Sequence, residues 1–160
     1  MKPNNCRWFM PAIFILLSAG ATAEETSHGE HGEAHHGHKN QIAGFIGITG
    51  EDRRDRAITL GVDYTRWLTP TMGIGIGVER AFGDLDFTVV AVPLSFRFDR
   101  WKFFAGPGTE HSHGHTEFLI RAGVEYAFEQ SGYEIAPKFM LDIIDGDVVI
   151  VGGVAVGFGF

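Results

Sequence analysis

From Gln41 to Phe160 the sequence alternates by two. Successive side chains of a strand point to opposite sides, so the closing run from Asp147 separates into two faces. One carries Val148, Ile150, Gly152, Val154, Val156, Phe158 and Phe160; the other carries Asp147, Val149, Val151, Gly153, Ala155, Gly157 and Gly159. So many glycines exclude a buried helix, where each costs about 1 kcal/mol relative to alanine. Similar patterns set Met72, Ile74, Ile76 and Val78 against Gly73, Gly75, Gly77 and Glu79, and Tyr133, Ile135, Phe139 and Leu141 against Glu134, Ala136, Lys138 and Asp142. The alternation predicts strands at about 41–50, 57–68, 71–82, 86–98, 101–107, 116–128, 132–143 and 147–160. The connections are too short for crossover helices, so neighbouring strands are antiparallel. The segment 101–107 is the shortest of the eight.

Alternation alone does not say which face is inside, because a soluble barrel also alternates. Volume decides. Eight strands enclose only enough room for side chains that just fill the interior, and the face of Ile, Val, Leu and Phe is too bulky for it. The other face is rich in glycine and holds both signs of charge. Asp63, Glu79, Glu125, Glu134 and Asp142 are therefore expected to pair inside with Arg97, Lys102, Arg121 and Lys138, since charges buried without partners are prohibitively costly. Such an interior is plugged by side chains, although several glycines at one level would leave a narrow water path. Aromatic residues gather near the turns at about 69, 99 and 130 and at the C-terminus: Trp67, Phe96, Phe98, Trp101, Phe103, Tyr126, Phe128, Tyr133, Phe158 and Phe160. A one-ended aromatic girdle and strands long enough to cross tilted favour lipid as the outer solvent.

The first residues change the picture of where this chain works. Lys2 and Arg7 precede the apolar run "FMPAIFILLSAG" and the small residues "ATA", the layout of a secretory signal over 1–23 with cleavage near Ala23. Residues 24–40, "EETSHGEHGEAHHGHKN", have no apolar period and read as a disordered His-rich leader, leaving 41–160 as the barrel. The single cysteine, Cys6, falls within the signal, so the mature chain has no disulfide or thiol chemistry. Loss of Lys2 and Arg7 takes the formal charge from −7 to −9, which argues against nucleic acid as a partner.

The signal ending "ATA", the eight alternating strands and the terminal "VAVGFGF" resemble the small eight-stranded bacterial outer-membrane β-barrels, the family of the transmembrane domain of outer-membrane protein A and of outer-membrane protein X. The fold class the resemblance implies is an all-β, eight-stranded, antiparallel up-and-down transmembrane barrel. It also implies a monomer in the outer membrane of a Gram-negative bacterium, with outer-membrane lipids and lipopolysaccharide around it. Phe158 and Phe160 would form the C-terminal signal read by the barrel-assembly machinery. Both termini would face the periplasm, leaving 51–56, 83–85, 108–115 and 144–146 outward. The outer loops are short for the family except for "GPGTEHSHGHTE".

The candidate chemistry lies in the histidines and one arginine-rich loop. His28, His31, His35, His36 and His38 in the leader and His111, His113 and His115 in the outer loop, with Glu30, Glu33, Glu110 and Glu117 nearby, suit weak, exchangeable Zn²⁺, Ni²⁺ or Cu²⁺ binding. The implied topology puts the two groups on opposite sides of the membrane, and no cofactor is required by any motif. Arg53, Arg54 and Arg56, with Arg80 on the lipid face, lie where lipopolysaccharide phosphates would be, but Glu51, Asp52 and Asp55 nearly cancel their charge. The His111, Ser112 and His113 group lies in a glycine-flanked loop with no evident orienting partner on a strand. The leading reading is a non-enzymatic envelope barrel with a structural or surface-interaction role. A divalent-metal binding or buffering barrel comes second, and a lipid A-modifying enzyme third.

Overall fold

The computed structural model describes residues 38–50, 56–83 and 85–160. The signal, the leader histidines His28, His31, His35 and His36, and Arg53 and Arg54 lie outside the described residues. Among the described residues the chain forms eight strands: β1 (Asn40–Gly50), β2 (Arg56–Trp67), β3 (Met72–Gly83), β4 in two pieces (Phe87–Ala91 and Leu94–Phe98), β5 (Trp101–Ser112), β6 (His115–Tyr126, continued by Phe128–Gln130), β7 (Tyr133–Ile144) and β8 (Asp147–Gly159). Each pairs antiparallel with the next. β8 returns to β1, with Gln41 opposite Gly159 and Gly50 opposite Ile150, so the sheet closes into a barrel. The last residue completes the seam: Asn40 N–H donates to the Phe160 carbonyl at 3.1 Å, and Phe160 N–H to the Asn40 carbonyl at 2.9 Å. Closure leaves no unpaired edge, the usual liability of a sheet.

The interruption in β4 is local. Pro93 has no N–H to give to the ladder, but its carbonyl accepts from Gly75 N–H at 2.9 Å, and Val92 N–H reaches the Pro107 carbonyl at 2.9 Å. Register runs through the gap, with Ala91 opposite Gly108 and Leu94 opposite Ala105.

One predicted boundary is corrected. The fifth strand is not a short run over 101–107, nor is "GPGTEHSHGHTE" a loop. β5 extends to Ser112 and β6 begins at His115, leaving a two-residue turn of His113 and Gly114. Both turn residues have positive φ, 50° and 84°, the left-handed geometry whose twist matches a hairpin. Asp145 and Gly146 repeat it at the same end, at 50° and 98°.

The two faces separate as the volumes require. Ile46, Ile48 and Ile58 are each 59% exposed on the outside, whereas Leu119 and Met140 are 0% exposed within. Trp101, Phe103, Tyr126 and Phe128 form an outer aromatic row near the termini; Trp101 and Tyr126 meet edge to face at 4.8 Å, and Tyr126 and Phe128 at 5.0 Å. Trp67 departs from the predicted girdle. It ends β2 on the inward face and is 8% exposed.

Candidate functional site

The strands aim three cations and four carboxylates at the middle of the lumen, and Lys138 on β7 is the centre of the group. Its ammonium lies 2.6 Å from Asp63 on β2 and 3.7 Å from both Glu79 on β3 and Glu125 on β6. Arg121 on β6 holds Asp142, its directly opposite neighbour on β7, through Nε and Nη2 at 2.7 Å each. Its Nη1 reaches Glu79 across the lumen at 2.9 Å. Lys102 on β5 meets Glu125 at 2.6 Å, again directly opposite in the ladder. With fewer cations than carboxylates, charge is shared across the lumen rather than matched one to one. Sharing of this kind, with bidentate hydrogen bonds, is what makes burial of the whole set tolerable.

Glycines make room in the lumen for two aromatic rings. The ring of Phe45 lies over Gly47 and Gly153, and that of Phe104 over Gly123, in space a Cβ would occupy. The two rings also face Lys138, whose Nζ is 5.0 Å and 5.2 Å from their centroids, a favourable placement for a cation on aromatic faces. A chamber of about 20 Å³ remains beside Asp63, Lys102, Glu125 and Lys138, room for about one water. Toward the end remote from the termini, Ala81, Phe87, Val89, Leu119, Ile144, Val149 and Val151 are buried inside the barrel. Thr49 and Thr59 pair through their hydroxyls among the fully buried side chains.

No family model matches the chain, and no curated protein matches it by sequence. Solved structures do. The N-terminal β-barrel domain of Pseudomonas aeruginosa OprF superposes with a TM-score of 0.58 at 14% identity, covering 77% of this chain and 98% of that one. Yersinia pestis Ail in a phospholipid bilayer nanodisc gives 0.51 at 14% identity, over 77% and 99%. A de novo designed transmembrane β-barrel gives 0.51 at 12% identity, over 74% and 93%. The fold is that of the small outer-membrane β-barrels. At these identities the likeness extends to architecture alone.

Two residues expected in the interior ion pairing of this outer-membrane-type barrel are placed elsewhere. Arg97 lies nearer the terminal mouth, where its guanidinium sits 4.0 Å from the centre of the Trp67 ring, and it forms no ion pair among the described residues. Glu134 accepts a hydrogen bond from Gln41 Nε2 rather than meeting a cation. Both sit on inward positions past the central cluster, and a face pattern gives direction without depth. Gln41 was missed because its polar character at the first predicted strand residue looks like a strand end.

The described histidines lie at opposite ends of the barrel. His38 packs beside Gly159 near the termini; His111, His113 and His115 occupy the β5–β6 hairpin tip. At that tip His111 Nδ1 pairs with Thr116 Oγ1 at 3.0 Å on the outward face, while His115 and Glu117 line a separate cleft with Glu110, Ser112 and His113. Among the described residues no group of three or more His, Cys, Asp or Glu side chains is gathered as a metal site. Ser112 Oγ donates to the Asp86 carbonyl at 3.2 Å and lies 2.8 Å from His113 Nδ1. Phe158 faces outward against Tyr133, with ring centres 6.4 Å apart, and Phe160 closes the seam. Arg80 and Asp86 form an exposed outer pair at 2.5 Å, with Arg80 also donating to Thr88 at 2.8 Å.

Proposed function

We propose that the chain is a monomeric, non-enzymatic outer-membrane β-barrel with a structural or surface-interaction role in the envelope of a Gram-negative bacterium. One observation carries this reading: a continuous apolar exterior surrounds a lumen already filled by its own side chains. The exterior needs hydrocarbon around it, and the filled lumen leaves the outer surface and the two rims as the parts that meet partners. In this reading the termini face the periplasm, the His-bearing hairpin faces outward, outer-membrane lipid and lipopolysaccharide cover the belt, and the assembly machinery reads Phe158 and Phe160. The likeness to Ail, named as an outer membrane protein, supports that address.

The test is reconstitution of the chain in detergent and then in planar bilayers. The expected result is a β-rich fold that requires an amphiphile and produces no steady ion current. A folded, monodisperse protein in plain buffer would overturn the membrane reading, and a regular open channel would overturn the closed-lumen role. Lipopolysaccharide incubated with the folded protein should return unchanged in mass; a lost or added acyl chain would restore the enzyme alternative.

A further inference from the structure

The terminal mouth of the barrel holds a cavity of about 290 Å³, walled in part by Gln41, Trp67, Arg97, Glu129, Tyr133 and Glu134. Its volume is close to the lower bound for small-molecule sites, roughly 300 Å³. Its lining carries both signs of charge in an unusual state. Arg97 is half-buried and stacked on Trp67 at 4.0 Å, with no carboxylate partner among the described residues. A guanidinium supported on an aromatic face keeps its N–H fork available for planar recognition of a carboxylate. Glu129 stands directly opposite Glu134 in the β6–β7 ladder, and like charges in that position are destabilising unless a cation joins them. Gln41, only 6% exposed, donates its Nε2 to Glu134 from the wall of the cavity.

We propose that this mouth binds a small zwitterion, a free α-amino acid or a short peptide. The ligand's carboxylate docks on Arg97, and its ammonium docks on Glu129 and Glu134. One ligand bearing both charges answers the guanidinium without a carboxylate and the opposed carboxylates together. Gly157 on β8 keeps the acidic part in place, since a Cβ there would lie 3.1 Å from Glu134 Cγ and 3.2 Å from Gln41 Nε2.

The test uses the full chain folded in detergent micelles and follows the Trp67 indole N–H resonance, assigned by its loss in Trp67→Phe. The probes are L-alanine, the dipeptide Ala-Ala, N-acetyl-Ala-Ala and Ala-Ala amide. Saturable shifts are expected with the two zwitterions, and removing either terminal charge should weaken binding by about tenfold or more, as loss of one charge-assisted contact would. The tighter of alanine and the dipeptide identifies the source. Arg97→Gln should abolish the difference between Ala-Ala and its amide, and a Glu129→Gln, Glu134→Gln double variant the difference between Ala-Ala and its acetylated form. Equal affinity for all four probes, or no saturable shift with either zwitterion, would overturn the proposal on the unaltered protein, whether or not the variants fold.

Discussion

Lys138 carries more of the lumen than any other single side chain, because Asp63, Glu79 and Glu125 all lie within 4 Å of one ammonium. Lys138→Met removes that charge and leaves carboxylates buried without compensation, a change that costs about 3–5 kcal/mol where a buried pair is broken. The expected result is a large fall in the urea midpoint of the barrel in lipid vesicles, with Lys138→Arg falling less. Gly123→Ala tests packing at the same depth. Its Cβ would meet the Phe104 ring and the Phe139 carbonyl at 2.7 Å, so a loss of about 1–3 kcal/mol is expected from overpacking. The double variant with Phe104→Leu should recover part of that loss in the same titration. Which residues could share the lumen was legible in the sequence, since only the small, charged face fits inside eight strands. Which partner each residue takes was not legible, because partners depend on depth along the barrel axis and on strand stagger. Arg97 and Glu134 show the consequence: both face inward, yet one stacks on Trp67 and the other meets Gln41.

At the level of strands, the period-two pattern located all eight and gave the inward face where it was clearest, as in β3, β7 and β8. It failed where glycine and proline interrupt it. Gly106, Pro107 and Gly108 lie alongside the break at Val92 and Pro93, so two strands lose their signature at one height while their pairing continues. The His-rich hairpin beyond was then mistaken for a loop, because histidine, serine and threonine carry no apolar alternation. Strand orientation makes a further prediction. Ile46, in mid-β1 and 59% exposed, should face hydrocarbon, and Ile46→Arg should then cost about 2–4 kcal/mol in a bilayer. The same substitution at Ile48, nearer the strand end, should cost less when both are titrated with urea from vesicles. Equal and small effects would mean that water already reaches this face.

Over the whole molecule, the barrel has a polar mouth, an ionic waist and an apolar far half, and its first and last residues meet at the seam. Deleting 157–160 removes the pairing partners of Gln41, Ile42 and Ala43 along with the Phe160 bonds. Loss of the folded form, read by far-ultraviolet dichroism in detergent, is the expected outcome. Because Phe160 fastens the first strand, a nascent stretch that stops short of it cannot complete the cylinder. Closure therefore waits for the whole of 40–160 to be made, and the strands that come first must stay unassembled for that interval.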